Sequence, residues 1–237
     1  LENGFARKGT SNHHYENFFM RISSILFDAV GVLYERPVTG MALQAMLEQH
    51  GLKPRHPKIV QDYMRAATFD ACLGRISQDD YFNALLRVHG LEDAAIPAGR
   101  EVLRFDASRL EVEPTTPPLL QRLQASGMRL GALANSPYHA EEEISWLERV
   151  GIPTIFWTVY LCSCELGALA PDPKVMNAAL EALGTPPDET LLVSRDPAVL
   201  MYGIDNGLVA VGFRVEAIAG MAGLIENLGQ LAVLVAS

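Results

Sequence analysis

The sequence predicts an α/β fold: a doubly wound parallel sheet whose first strand is followed by an α-helical insert. Three observations predict it. Strand-length apolar runs alternate with helical patterns from about Pro117 to the C-terminus, which implies a parallel sheet covered on both faces. One further apolar run, Ile22 to Phe27, stands alone far upstream and ends at Asp28-Ala29-Val30-Gly31, a strand running into a turn. Between the two lies a long stretch with helical periodicity and no convincing strand.

Taken in order, Leu1 to Phe19 show no periodicity and no apolar core of a secretory signal. Residues 1–19 are read as an N-terminal appendage outside the fold, disordered or foreign to it, and Met20 as a natural start. From Val38 to about Leu110 the pattern is that of about four helices. Leu43, Met46 and Leu47 share one face, and Ser77-Gln78-Asp79-Asp80 reads as a capping box opening the helix of Phe82, Leu85 and Leu86. Pro117-Pro118 open a helix that Gly127 ends, Met128 to Ala134 is a strand, and Glu141 to Val150 a helix with three acids in its first turn, where the helix dipole favours them. Thr154 to Leu161 reads as a strand, Pro173 to Leu183 as a helix, Thr190 to Val193 as a strand, Pro197 to Asn206 as a helix and Leu208 to Phe213 as a strand. A C-terminal helix and a short apolar tail follow. The resulting domains are a Rossmann-like core, residues 20–36 and 113–237, and a helical insert, residues 37–112.

Composition bounds the function. The 237 residues carry 19 Lys+Arg against 28 Asp+Glu, a formal charge of −9, and 49% are hydrophobic. That balance argues against nucleic-acid binding, which needs a basic face to neutralise phosphates. No apolar run approaches membrane-spanning length, so no membrane partner is expected. Three cysteines, Cys72, Cys162 and Cys164, make no disulfide framework, and their odd number fits a reducing cytoplasm.

Ligands of such sheets bind outside the carboxyl ends of the strands. The stations to inspect are therefore Asp28, Asn135, the stretch after Leu161 and the stretch after Val193. They carry a resemblance. Phe27-Asp28-Ala29-Val30-Gly31-Val32-Leu33 resembles the first motif of the haloacid dehalogenase-like hydrolase superfamily. Leu133-Ala134-Asn135-Ser136 is similar to the second, and Glu165 to Pro173 to the third. Leu191-Leu192-Val193-Ser194-Arg195-Asp196-Pro197 falls where the fourth belongs. Order, spacing and insert are similar to the subfamily with a helical cap, including Gly74-Arg75-Ile76-Ser77 within it. The resemblance covers residues 20–237.

The resemblance implies a nucleophilic Asp28 that attacks phosphorus or a halogen-bearing carbon and forms an aspartyl intermediate. In phosphatase members an acid two residues later protonates the leaving group. A Ser/Thr at the second motif and a Lys at the third bind the transferring group. Acids at the fourth complete a Mg²⁺ site. Here those positions hold Val30, Ala134, Ala170 and Ser194-Arg195, while Gly31, Asn135, Gly167, Pro171, Asp172 and Pro173 keep the scaffold. Ser136 and Lys174 are neighbours that could stand in. Asp196 before Pro197 reads as a helix N-cap; it and Asp28 are the metal ligands only if a metal binds, and no cofactor is expected unless Mg²⁺ serves a phosphatase activity. A guanidinium at Arg195 is expected to pair with Asp28 and repel Mg²⁺.

The expected function is that of a pseudoenzyme on a hydrolase scaffold, acting by ligand binding or interaction. The alternative is a weakly active, unconventional hydrolase, dehalogenase-like or phosphatase-like, working through Asp28. Dehalogenases also lack the acid after the nucleophile, and they resemble this chain at Ser194. They take halide on a cap arginine, for which Arg36, Arg55, Arg65 and Arg75 are the candidates. The partner expected is a small anionic ligand, with the cap's apolar remainder available to a homodimer or protein partner. Cys162-Ser163-Cys164 has neither zinc nor redox spacing and reads as buried strand-end packing, and His139 as a surface helix start.

Overall fold

The computed structural model describes residues 22–36 and 40–235. The appendage assigned to residues 1–19 and the start at Met20 lie outside the described residues. Strand β1 (Ser24–Asp28) is buried through Phe27, as its unbroken apolar run requires of a strand with helices on both faces. It sits at the centre of a six-stranded parallel sheet of order β3-β2-β1-β4-β5-β6. The other strands are β2 (Arg129–Ala134), β3 (Trp157–Cys162), β4 (Thr190–Ser194), β5 (Val209–Phe213) and β6 (Gly223–Ile225). Strand order reverses between β1 and β4, so the crevice at their carboxyl ends is the switch point where such sheets hold ligands. The register pairs Phe27 with Val193, and Asp28 with Leu133, which leaves Asp28 and Ser194 side by side at that crevice.

Alternation along the strands splits the core in two. Leu26, Leu133 and Leu192 face helices α8 (Pro173–Leu183) and α9 (Pro197–Asp205), where Val175, Met176, Ala179 and Val199 meet them. Ile25, Phe27, Leu130, Leu191 and Val193 face the larger cluster under helices α5 (Thr116–Ala125) and α6 (Ala140–Arg149). Both α8 and α9 start with an Asp-Pro pair. Asp172 accepts from Lys174 N and Asp196 from Ala198 N, each at 2.8 Å, and the proline at the first helical position needs no N–H partner.

The insert is all helical: α1 (Met41–Gln49), α2 (Pro57–Cys72), α3 (Gln78–Val88) and α4 (Ile96–Ala107), with α1 on α4, α2 on α3 and α3 on α4. Asp106, nearly buried near the end of α4, caps α1 by accepting from Ala42 N and Leu43 N. Gly40 makes that approach possible, because a Cβ there would overlap the Asp106 carboxylate. Ser77 opens α3 as expected, accepting from Asp80 N at 3.1 Å, but its hydroxyl donates to the Asp80 carboxylate rather than leaving that carboxylate for a backbone N–H.

Two expectations change. Thr154–Phe156 form a 3₁₀ turn, so β3 begins at Trp157 rather than Thr154. Beyond β5, the expected C-terminal helix is replaced by the edge strand β6, a turn at Leu228–Gln230 and the short helix α10 (Leu231–Val235). Gly220, Gly223 and Gly229 deny a long helix its propensity, and a three-residue strand is too short for alternation to show. The loop after β3 also holds a short helix, α7 (Ser163–Leu166), ended by Gly167 in the left-handed conformation.

Candidate functional site

The station residues meet at the carboxyl edge of the sheet, but their side chains take different partners. Asp28 is partly buried, and the Ser194 hydroxyl donates to its Oδ2 at 2.8 Å. Ser194, fully buried, in turn accepts from Asp196 N at 2.9 Å. Burial pushes the Asp28 carboxyl up to about 6, against the lowering effect of the Ser194 hydrogen bond. Asp196 adds to the rise and Arg195 opposes it.

Arg195 does not pair with Asp28. Its Nη1 donates to Glu35 Oε1 at 2.7 Å, and about half of each side chain is exposed. The expected ion pair is corrected by the loop geometry. Gly31, at φ +83°, leaves a trough in which the guanidinium lies; a Cβ at Gly31 would come within 2.2 Å of the Arg195 Cζ and Nε. The trough directs Arg195 across the loop to Glu35, and its effect on Asp28 is the weakest of those acting there.

The neighbours that could have stood in for missing groups are engaged elsewhere. Ser136 is buried and donates to Glu143 Oε1 at 2.6 Å. Lys174 Nζ donates to the Leu166 carbonyl. Asp196 caps α9 through Oδ1, as its Asp-Pro sequence predicts. Val30 packs on the larger core and bridges to Tyr34. Ala134 and Ala170 are buried methyls in the two separate clusters. Asn135 holds the Ala170 backbone at both ends: its Oδ1 accepts from Ala170 N at 2.9 Å and its Nδ2 donates to Ala170 O at 3.0 Å. The Asn135 amide is thereby a brace for the loop carrying the cis Ala170-Pro171 bond.

Among the described residues, no group of three or more His, Cys, Asp or Glu is placed to hold a metal ion. A Mg²⁺ ion needs an octahedron of oxygens. The donors here are one carboxylate at Asp28, a hydroxyl already bridging at Ser194, and Asp196, whose Oδ1 is committed to its own helix, with a guanidinium alongside. These residues do not fit the ion.

Of the four candidate arginines, Arg65 and Arg75 make exposed local pairs with Asp62 and Asp70, and Arg55 Nε donates to Val88 O. Arg36 is different: it is largely buried against Glu143, which has no exposure. Glu143 belongs to the first turn of α6, read from sequence as one of three acids that the helix dipole favours there. Its spacing to Trp146, Leu147 and Val150 was the signal that it faces inward. Cys162 is buried, as expected, and Cys164 donates to Tyr138 O. His139 is the exposed N-cap position of α6, its Nδ1 3.2 Å from Glu165. No helix among the described residues is long and apolar enough to cross a membrane.

Comparisons with known proteins agree with this architecture. An N-acetylmuramic acid 6-phosphate phosphatase of Pseudomonas aeruginosa is 26% identical over 198 residues, 82% of this chain and 83% of that protein. A solved L-2-haloacid dehalogenase superimposes with TM-score 0.71 at 21% identity, covering 91% of this chain and all of the other. A 2-haloacid dehalogenase of Pseudomonas syringae pv. tomato does so with TM-score 0.68 at 19% identity, covering 91% and 98%. The family model for haloacid dehalogenase-like hydrolases matches residues 22–194, from just before the central strand to the end of β4, and the chain belongs to that family.

Proposed function

We propose that this member of the haloacid dehalogenase-like hydrolases is a pseudoenzyme that uses its cleft for binding or interaction rather than turnover. One observation carries the reading: among the described residues, none that could replace the missing acid, ammonium or metal ligand is aimed at Asp28, and the one hydroxyl that reaches it, that of Ser194, is already shared with the Asp196 N–H. Ser136, Lys174, Asp196 and Arg195 each have a partner elsewhere, and Ser194 alone hydrogen-bonds the carboxylate. Among the described residues, nothing is placed beside this aspartate to protonate a leaving group, and no cation is held against it to offset charge on a transferring phosphoryl. In this reading residues 20–36 and 113–237 form the core and 37–112 a cap over it. The protein works in the cytoplasm, and the ligand is a small anion. A homodimer or protein partner on the cap is the other mode of action.

The test is an activity screen beside a binding screen. p-Nitrophenyl phosphate with Mg²⁺, N-acetylmuramic acid 6-phosphate with Mg²⁺, and 2-chloropropionate should all stay at background. Phosphate, sulfate or a small carboxylate should raise the melting temperature. Turnover above background that Asp28→Asn abolishes would overturn the reading in favour of a weak hydrolase. The retained Asp28–Ser194 pair is the observation that favours this alternative.

A further inference from the structure

The chain enters and leaves the helical insert side by side: Glu35 and Glu111 exchange both backbone hydrogen bonds at 2.9 Å. Arg36 follows at once, and its side chain turns into the core. The guanidinium carbon lies 4.9 Å from the ring centroid of Tyr34, 4.7 Å from that of Tyr138 and 5.4 Å from that of Trp146. Its Nη2 is 2.6 Å from Glu143 Oε2, a charge contact rather than an aligned hydrogen bond. The Glu143 carboxylate also accepts from the Tyr34 hydroxyl and the Ser136 hydroxyl, each at 2.6 Å. Three aromatic faces around a desolvated carboxylate are the chemistry that recognises a weakly hydrated organic cation. The cage residues come from the first-strand loop, the loop after β2 and α6. Arg36 Nε meanwhile donates to the carbonyl of Ala107, the last residue of α4 in the insert.

We propose that Tyr34, Tyr138, Trp146 and Glu143 form an organic-cation receptor that the chain fills with its own Arg36, and that this contact latches the helical insert onto the core. The rest of the docking face is continuous with the cage. Tyr138 meets Phe82 of α3 in a tilted ring pair with centroids 6.2 Å apart, and the Gln78 amide donates to Glu142. At the end of α2, Gly74 lies so close to the core that a Cβ there would come within 2.2 Å of the Cys164 carbonyl oxygen. Removing the guanidinium leaves Glu143 buried and uncompensated, a costly state that an outside cation of the same shape relieves. The latch is independent of whether the cleft binds anions or turns over substrate.

Arg36→Ala tests both halves with ethylguanidinium as the probe. The variant should lose several degrees of melting temperature. Millimolar ethylguanidinium should restore it saturably, whereas urea at the same concentration should not. Wild type and Arg36→Met, whose cages are filled, should not respond. Cys72, buried at the end of α2, should react with a thiol reagent about tenfold faster in Arg36→Ala, and ethylguanidinium should slow it again. Absence of saturable rescue would overturn the receptor, and unchanged Cys72 reactivity would overturn the latch. Should Arg36→Ala fail to fold, Glu143→Gln preserves the cage shape and must also raise Cys72 reactivity; an unchanged rate there overturns the proposal.

Discussion

Ser194 Oγ donates to Asp28 Oδ2 at 2.8 Å across the point where strand order reverses, tying the end of β4 to the end of β1. The same hydroxyl oxygen accepts from Asp196 N, so one serine fixes both the carboxylate and the entry to α9. The pair sits where doubly wound sheets hold ligands. Among the described residues the pair receives no cation: Arg195 is held by Glu35, and Lys174 in the first turn of α8 by the Leu166 carbonyl. Asp28 is therefore a carboxylate stabilised by one neutral hydrogen bond.

Ser194→Ala should drive the Asp28 carboxyl above its value of about 6. A hydroxyl bond to a carboxylate favours the charged form, so its loss favours the protonated one. Carbon-13 NMR titration of the aspartate carboxyls reads this directly. A titration unchanged from wild type would mean that the bond contributes nothing to the charged state.

Gly31 and Arg195 should behave as a coupled pair. Arg195→Ala alone should cost at most about 1 kcal/mol, because its ion pair with Glu35 is half exposed and solvent-screened. Gly31→Ala should cost about 2–3 kcal/mol, combining left-handed strain with the overlap on the guanidinium. In the double variant the overlap disappears and about 1 kcal/mol of strain remains. Additive losses in urea denaturation would contradict the packing of Arg195 in the Gly31 trough.

Asn135→Ala should destabilise the protein by about 2–3 kcal/mol, since two partly buried backbone groups of Ala170 lose their partners together. Asn135→Asp is the sharper variant. At neutral pH its carboxylate still accepts from Ala170 N but turns a second oxygen toward Ala170 O, a repulsive contact. Below about pH 4 the protonated acid can donate there, so stability should recover relative to Asn135→Ala. Denaturation at the two pH values separates the cases.

The stations themselves were legible, because βα alternation brings strand ends together whatever the loops do. Asp28, Asn135, Ala170 and Ser194 all lie at that edge as their positions after apolar runs predict. The directions of loop side chains were not legible. Arg195 turns to Glu35 because Gly31 provides the trough, and nothing in the spacing of these three residues encodes that contact. Glu143 was not legible for another reason: its place in the first turn of α6 marked it only as a partner of the helix dipole, while its helical period with Trp146 pointed inward. Tertiary partners decided between two local signals, and the buried Arg36 cage follows from that outcome.

Asp28→Asn should stabilise the folded protein at neutral pH and not in acid. The folded-state value of about 6 lies above the ordinary 3.8, so folding disfavours the charged form. Below about pH 4 the carboxyl is protonated in both states and folding stability is unaffected by it. Between about pH 4 and 6 the folded state keeps a proton that the unfolded chain has released. Stability therefore falls as pH rises, by up to about 3 kcal/mol in all. Asparagine carries no charge to desolvate and still accepts from Ser194, so it should be more stable than wild type by about 1–3 kcal/mol at pH 7, with the two converging at pH 4. Urea denaturation across that range measures the difference. A wild type that is the more stable of the two at pH 7 would mean that a cation compensates Asp28 after all, and a compensated carboxylate at this station is what a hydrolase, not a pseudoenzyme, would keep.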